Sequence, residues 1–187
     1  SGWAVNGGGS ALLRAAFPLD SVDGVNYTVW PTLLNWPSVI TEGNRGPILT
    51  YTYLMFANKG YEKVFVWTPR AHFVRGLAIT MAALGDDEPG KSVSEPGFGA
   101  VNYVHEVGHN YHLTHTATKK FCDSSKAKHP NWPYDSASIQ EFGYHPPTGK
   151  VYSPLYTFDF MSYCYPEYQA WISPHHWQRL MTFIQPS

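Results

Sequence analysis

Residues 105–115 read HEVGHNYHLTH, and the fold and chemistry of the chain are organised around this stretch. Residues four apart on an α-helix point in nearly the same direction, so His105 and His109 would present their imidazoles on one face. Glu106 lies beside them. In the H-E-x-x-H pattern the two histidines bind zinc, and the glutamate stays off the metal and handles the proton of a zinc-bound water. The spacing therefore predicts metal-assisted hydrolysis.

A third ligand is needed, and His115 is the better of two candidates. On an uninterrupted helix it would lie about 15 Å beyond His105 and face away, so it can reach the metal only if the helix ends near His112. His112 itself would share the face of the pair on a continuing helix. Three ligands spread over about 10.5 Å of one helix, however, cannot converge on one ion at about 2.1 Å from each.

Two motifs give the chain a family resemblance. The pattern H-E-x-x-H-x-x-x-x-x-H resembles the zinc site of the metzincin metalloendopeptidases, and residues 157–164, TFDFMSYC, resemble their Met-turn, in which a methionine underlies the metal. Met161 is that methionine here. Tyr163 matches the position at which astacin-like and serralysin-like metzincins carry a tyrosine that can touch zinc and later hydrogen-bond the reaction intermediate. These motifs look most like those of secreted microbial metzincins.

The resemblance implies a secreted, zinc-dependent endopeptidase that hydrolyses peptide bonds of proteins or glycoproteins. The zinc ligands would be His105, His109 and His115. Glu106 would activate the attacking water, and Tyr163 would add a hydrogen bond to the developing oxyanion.

His112 departs from the family, whose members usually have glycine at this position. The residue that turns the chain out of the helix there should adopt a positive φ, which glycine favours and histidine tolerates. We therefore expect a left-handed backbone conformation at His112.

Two other functions fit parts of the sequence. The first is a gluzincin-type peptidase, in which a glutamate from a later helix, such as Glu141, would replace His115 as a ligand. The second is a non-catalytic binding module, in which zinc only fastens two parts of the fold. The Met-turn argues against a gluzincin, and Glu106 argues against a purely structural site, which needs no proton acceptor. We therefore favour the zinc endopeptidase.

The composition is that of one folded domain. The 187 residues are 43% hydrophobic, 16% aromatic and 14% charged, and a chain of this length can bury most of its apolar surface. A formal net charge of -1 provides no basic surface for nucleic acid. The sequence also has no apolar run of about 18 residues, so we expect no membrane partner. We expect a monomer whose single metalloprotease catalytic domain spans residues 1–187.

The two cysteines, Cys122 and Cys164, are too few for a disulfide scaffold and enough for one bridge. By their number alone, two buried free thiols are an equally good interpretation. The resemblance favours a bridge, because secreted metzincins often have a disulfide in this region and both cysteines flank the expected site. An unstrained bridge would stabilise the fold by about 4 kcal/mol.

We expect an α/β (α+β) fold of the metzincin type. The upper half, residues 1–112, would contain a twisted mixed sheet with helices and end in the active-site helix. The lower half, residues 113–187, would be mostly irregular and close with a C-terminal helix. Ser173 and Pro174 predict the start of that helix, which would run to Ile184. Its inner face would carry Trp177, Leu180, Met181 and Ile184.

Local patterns predict the elements of the upper half. Residues 22–30 and 61–68 are typical of strands, because they alternate or are rich in β-branched and aromatic residues, and residues 76–81 form a further candidate strand. Residues 48–58 follow Gly46-Pro47 and are typical of a helix. By resemblance, one strand of this sheet would bind the substrate by backbone pairing.

Overall fold

The computed structural model of the protein describes residues 10–19, 25–26, 28–30, 41, 43–68, 76–79, 82–86, 98–117, 128–164 and 169–184. These residues form four helices: α1 (Ser10–Ala16), α2 (Arg45–Phe56), α3 (Phe98–Asn110) and α4 (Pro174–Met181). They also form seven short strands: β1 (Val64–Thr68), β2 (Gly76–Ile79), β3 (Ala82–Asp86), β4 (Gly143–His145), β5 (Lys150–Tyr152), β6 (Phe158–Asp159) and β7 (Ala170–Trp171). This mixture of helices and small sheets confirms the α+β class. None of the described helices is both long and apolar enough to cross a membrane.

The largest sheet has three strands in the order β1, β3, β2. β1 runs parallel to β3 and β2 runs antiparallel to it, so the sheet is mixed, as predicted. The sequence predicts β1 and β2 but not β3. Residues 82–86, AALGD, contain no β-branched or aromatic residue, and the end of the segment resembles a loop.

Helices cover both faces of this sheet. On one face, Val66 of β1 packs against the cluster formed by α2 and β3. On the other face, Phe65 and Trp67 contact Tyr103 of α3, with ring centroids 4.6 and 5.4 Å apart. Successive side chains of a strand point to opposite faces, so β1 packs against both α2 and α3. The sheet therefore supports α3, the helix that carries the first two histidines.

No sequence pattern indicates α1, which also packs against α3. Leu12, Leu13 and Ala16 are buried in the main hydrophobic cluster. Phe17, just beyond the helix, stacks on Phe160 with ring centroids 6.0 Å apart. A helix of seven residues has too few turns for its periodicity to be recognised.

The strand predicted at residues 22–30 is wrong. The described residues of that segment, 25–26 and 28–30, belong to no strand. Val29 and Trp30 are exposed, whereas Val25 packs against the main hydrophobic cluster, so these residues do not share one buried face. Arg14 of α1 holds the segment through a hydrogen bond from Nη2 to the Val25 carbonyl at 3.2 Å.

The described residues of the lower half, 113–117, 128–164 and 169–184, are mostly irregular, as predicted, and include two two-stranded sheets. β4 and β5 form an antiparallel hairpin, and β6 pairs with β7 in parallel. The hairpin lies on Trp171, because Tyr152 stacks on the indole at 4.6 Å and a Cβ atom at Gly143 would overlap it. Its opposite face carries the exposed side chains of Tyr144 and Val151.

The closing helix α4 begins as predicted. The Ser173 hydroxyl accepts a hydrogen bond from the His176 N–H at 3.3 Å, and Pro174 occupies the first turn. The helix ends at Met181, earlier than the predicted Ile184.

The predicted inner face of α4 is partly wrong. Leu180 is fully buried, but Trp177 and Met181 are 41% and 43% exposed. His176 takes an inner position instead, because its ring bonds to the buried carboxylate of Asp159. Apolar spacing could not show that a polar pair sets the rotation of this helix.

The end of α3 has the left-handed turn that the ligand spacing requires. His112 has a φ of 59°, which confirms the expected positive value. The N–H of His112 bonds to the His109 carbonyl at 2.9 Å, and the N–H of Leu113 bonds to the Gly108 carbonyl at 3.0 Å. These are the two hydrogen bonds of a Schellman motif with His112 at its left-handed position, so the helix ends at Asn110, five residues before His115.

We predict that His112→Gly leaves the free energy of unfolding within about 1 kcal/mol of the parent value, because relief of strain offsets the added freedom of the unfolded chain. His112→Val should destabilise the protein by about 1–3 kcal/mol, since a β-branched side chain fits a positive φ poorly. Denaturant unfolding measures both. The His112 ring contacts Phe183 at 5.3 Å, so Phe183→Leu controls for the lost ring contact. A valine variant as stable as the glycine variant would contradict the left-handed conformation.

Candidate metal centre

The three predicted ligands converge. His105 and His109 are one turn apart on α3, and the left-handed turn at His112 returns His115 to their side. The His115 Nε2 atom lies 3.1 Å from His105 Nε2 and 3.0 Å from His109 Nε2. In the part of the chain that the structure describes, these histidines form the one group of His, Cys, Asp or Glu side chains placed to hold a metal ion.

Backbone carbonyls orient the two helical ligands. Nδ1 of His105 is 2.8 Å from the carbonyl oxygen of Phe160, and Nδ1 of His109 is 2.9 Å from that of Leu113. A carbonyl oxygen can only accept, so each Nδ1 carries a proton and donates it. Each Nε2 of the neutral rings then presents a lone pair, as a metal ligand requires.

The spacing of the nitrogens suits a cation. His105 and His109 both direct Nε2 lone pairs towards His115, whose own Nε2 can carry at most one proton. A single proton on His115 Nε2 can therefore form a full hydrogen bond with only one of the other two Nε2 atoms. Three ligands at about 2.1 Å from a tetrahedral ion would be about 3.4 Å apart, close to the contacts found. The donor set thus fits a bound metal ion.

Burial keeps the three imidazoles neutral. It is the main reason that the pKa of His105 lies well below its ordinary value, and the nearby His109 and His115 lower it further. Burial also lowers the pKa of His109, against the opposing hydrogen bond to Leu113. It lowers the pKa of His115 to about 4, with a further contribution from His109. At neutral pH all three rings are therefore available as ligands.

Glu106 follows His105 on α3 and is buried, with 6% of its surface exposed. Burial raises the pKa of its carboxyl to about 8, and the charge of Arg45 in α2 partly opposes this shift. At neutral pH a carboxyl group with this pKa is mostly protonated and can donate a proton. It becomes a proton acceptor where a nearby cation favours its ionised form, as the motif predicts for a metal-bound site.

Met161 packs directly against the helix that carries the ligands. Its side chain is fully buried, and its Sδ would lie only 2.8 Å from a Cβ atom built on Gly108. Phe160 and Leu113 would lie 3.2 and 3.3 Å from the same atom. The helix and the predicted Met-turn approach this closely because residue 108 has no side chain.

The Tyr163 hydroxyl reaches the histidines from the same turn. It lies 2.8 Å from His115 Nε2, and the two rings are 4.6 Å apart. The tyrosine is 39% exposed, so a ligand from solvent has access to it.

Sequence patterns miss Asp159 and His176, which form a buried pair at the predicted Met-turn. His176 Nδ1 lies 2.9 Å from Asp159 Oδ1, and neither side chain is exposed. Burial by itself raises the pKa of Asp159, but the nearby His176 and the hydrogen bonds from His176, Ser173 and Met161 outweigh it. The pKa of Asp159 therefore lies below its ordinary value, and the group is ionised. The available sequence signal is an acidic residue within the otherwise apolar run 158–161, FDFM.

Three other predicted residues are not part of the described histidine group. Glu141 is exposed and does not belong to the histidine group, so the described structure does not place it as a ligand. Cys164 packs with Trp132, and the described residues include no free cysteine. Cys122 lies outside the described residues, so its bridge to Cys164 stays a prediction.

Comparisons with protein-family models, with curated proteins and with solved structures find no match to this chain. The geometry of the three histidines and their surroundings is therefore the basis for a functional assignment.

We predict that Gly108→Ala weakens metal binding about 10-fold or more and destabilises the protein, although alanine favours a helix by about 1 kcal/mol over glycine. The new methyl group would overlap the Met161 sulfur and push the predicted Met-turn away from His105 and His109. Metal titration and denaturant unfolding measure the two effects.

A double-mutant cycle with Met161→Ala tests this cause. Removal of the sulfur makes room for the methyl group, so Gly108→Ala should cost less in the Met161→Ala background than in the parent protein. An equal cost in both backgrounds would show that the contact between residues 108 and 161 does not limit the approach of helix and turn.

Proposed function

We propose that the protein is a zinc-dependent endopeptidase of the metzincin type. The observation that carries the proposal is the convergence of His105 and His109 on His115, with Nε2 contacts of 3.1 and 3.0 Å and a buried Glu106 next to His105 on α3. A structural metal site needs no proton acceptor next to its ligands. The combination therefore favours a catalytic site over a binding module.

Zinc is the metal we propose for this site. Neutral imidazoles suit zinc, and three of them leave a coordination position open, which is typical of catalytic zinc. When bound, zinc would polarise the scissile carbonyl, lower the pKa of water and favour the ionised form of Glu106. The carbonyls of Phe160 and Leu113 would hold the His105 and His109 rings in the ligating orientation.

Glu106 and Tyr163 would perform the proton transfer and the charge stabilisation. Glu106 would take a proton from the attacking water and return it to the leaving amine. The charge of the metal would favour the ionised form needed for the first step, and burial favours the protonated form that the first step produces. The Tyr163 hydroxyl would donate a hydrogen bond to the peptide oxygen as negative charge develops there. Its distance of 2.8 Å from His115 Nε2 supports this role.

The proposed substrate is an extended segment of a protein or glycoprotein. An extended peptide can add to the outer strand of a sheet through backbone hydrogen bonds. β1 and β2 are the outer strands of the described sheet, and β2 packs directly against α3. This arrangement favours β2 as the docking strand. Secretion, a monomeric state and the lack of nucleic-acid or membrane partners stay predictions from the sequence.

We predict that Glu106→Gln keeps the metal and lowers kcat by about 10²-fold or more, because glutamine has nearly the same size but cannot accept the proton. Hydrolysis of casein and of a peptide library measures activity, and metal analysis measures the bound zinc. Glu141→Gln is the matched control, since Glu141 is exposed and outside the histidine group. Near-normal kcat in Glu106→Gln would remove Glu106 from the proposed role.

Chelation provides the test of the metal itself. Removal of zinc should abolish hydrolysis, and added zinc should restore it. Protein prepared without chelator that contains no stoichiometric transition metal would refute the metal site. Protein that binds zinc and cleaves no peptide in the library would favour the binding module.

Tyr163→Phe should lower kcat by about 10²-fold and change KM much less, because the hydroxyl is needed as negative charge develops and not for substrate binding. Steady-state kinetics on a peptide substrate separate the two constants. Tyr144→Phe, on the exposed face of the hairpin, is the matched control and should leave both unchanged. An unchanged kcat in Tyr163→Phe would assign the tyrosine to packing alone.

A further inference from the structure

Asp159 fixes the predicted Met-turn, residues 157–164, through four hydrogen bonds. Its Oδ1 accepts the N–H of Met161 at 2.7 Å, and its Oδ2 accepts the N–H of Ser173 at 2.9 Å. His176 donates from Nδ1 to Oδ1 at 2.9 Å. The backbone carbonyl of Asp159 accepts the N–H of Ser162 at 2.9 Å. One residue with no solvent exposure thus fixes both the turn and the start of α4.

The same turn supplies the acceptor that orients a metal ligand. The Phe160 carbonyl accepts the Nδ1–H of His105 at 2.8 Å. This carbonyl and the Met161 N–H belong to one planar peptide group, and they point in opposite directions. Any rotation of that peptide would break the hydrogen bond from Met161 to Asp159 and turn the carbonyl away from His105. The orientation of the His105 ring is therefore linked to Asp159 through a single rigid unit.

We propose that Asp159 and His176 are positioning residues for the metal ligand His105. Asp159 holds the peptide between Phe160 and Met161, and the carbonyl of that peptide keeps the proton of His105 on Nδ1. His176 fixes the position of the Asp159 carboxylate through the hydrogen bond from its Nδ1. The consequence for catalysis rests on the proposed function, but the consequence for metal binding does not.

Packing alone does not explain the imidazole at position 176. The ring is fully buried against Trp132, with centroids 5.1 Å apart. Its Nε2 is also buried and has no hydrogen-bond partner within the described residues. An unpaired buried polar atom destabilises the fold, and an apolar side chain would avoid that cost. The histidine is therefore useful at this position for its Nδ1–H, which reaches Asp159.

Two substitutions of His176 separate a donor from a space-filling side chain. Asparagine can place an amide N–H near the position of Nδ1–H, whereas leucine fills space without a donor. We expect His176→Leu to raise the Kd for zinc by about 10–100-fold, the usual effect of losing a residue that orients a ligand. His176→Asn should recover most of that loss. Competition with a chromophoric zinc chelator measures both values.

A purely structural role predicts the opposite order, because leucine buries more apolar surface than asparagine. Zinc affinity in the leucine variant equal to or above that in the asparagine variant would overturn the proposal. Side-chain NMR of the zinc-loaded protein adds a spectroscopic readout. The His105 Nδ1–H signal should persist in His176→Asn and broaden or disappear in His176→Leu.

Asp159→Asn keeps the assay informative if His176→Leu does not fold. It preserves the size of the side chain but removes the charge and one acceptor, so zinc affinity should fall by about 10-fold or more. Ile139→Val is the control for general destabilisation, since Ile139 is buried in the main hydrophobic cluster, which also contains Met161. Parent-like zinc affinity in Asp159→Asn, or an equal loss in Ile139→Val, would overturn the positioning role.

These outcomes are independent of proteolysis. Protein that follows the expected order of zinc affinities but cleaves no peptide would refute the endopeptidase and leave the positioning role standing. A parent protein that binds no zinc would overturn both proposals.

Discussion

A single buried charge constrains the lower half of this protein. A carboxylate removed from water destabilises a fold by several kcal/mol unless other donors replace its hydration. Asp159 receives its donors from Met161 in the turn, from Ser173 before α4, and from His176 within α4. These segments cannot separate without leaving a charge unpaired in an apolar interior. The outward direction of Trp177 follows from the same requirement, because the bond from His176 fixes the rotation of α4.

The contact between α3 and the predicted Met-turn occurs at Gly108, which has no side chain. Gly108 lets α3 lie against the sulfur of Met161, and this close approach brings the His105 ring within reach of the Phe160 carbonyl. The candidate metal centre is therefore shared between two parts of the chain. The ligands come from one helix and the turn that follows it, whereas the orientation of His105 depends on a carbonyl 55 residues later.

Features that depend on local geometry could be predicted from the sequence, and those that depend on distant partners could not. Helical spacing predicts that His105 and His109 share one face and that the helix must end before His115 can join them. The resemblance, whose members usually have glycine at this position, indicates His112 as the left-handed residue. Ser173 likewise marks the start of α4 through its own hydrogen bond. By contrast, β3 lacks β-branched residues and forms a strand between β1 and β2, which supply its partners. No periodicity encodes the pairing of His176 with Asp159, 17 residues away, and that pairing displaces the predicted inner face of α4.

The short span of the ligands also affects the order in which the centre can assemble. His105 and His115 are ten residues apart, and a loop of that length closes within about 10–100 ns at little cost in chain entropy. The contact between His105 and Phe160 closes a loop of 55 residues and must form more slowly. Under the proposed metal-binding role, a chain whose lower half has not yet docked could already capture the ion. Tight retention of the ion would require the completed fold, because only then does the Phe160 carbonyl fix the His105 ring.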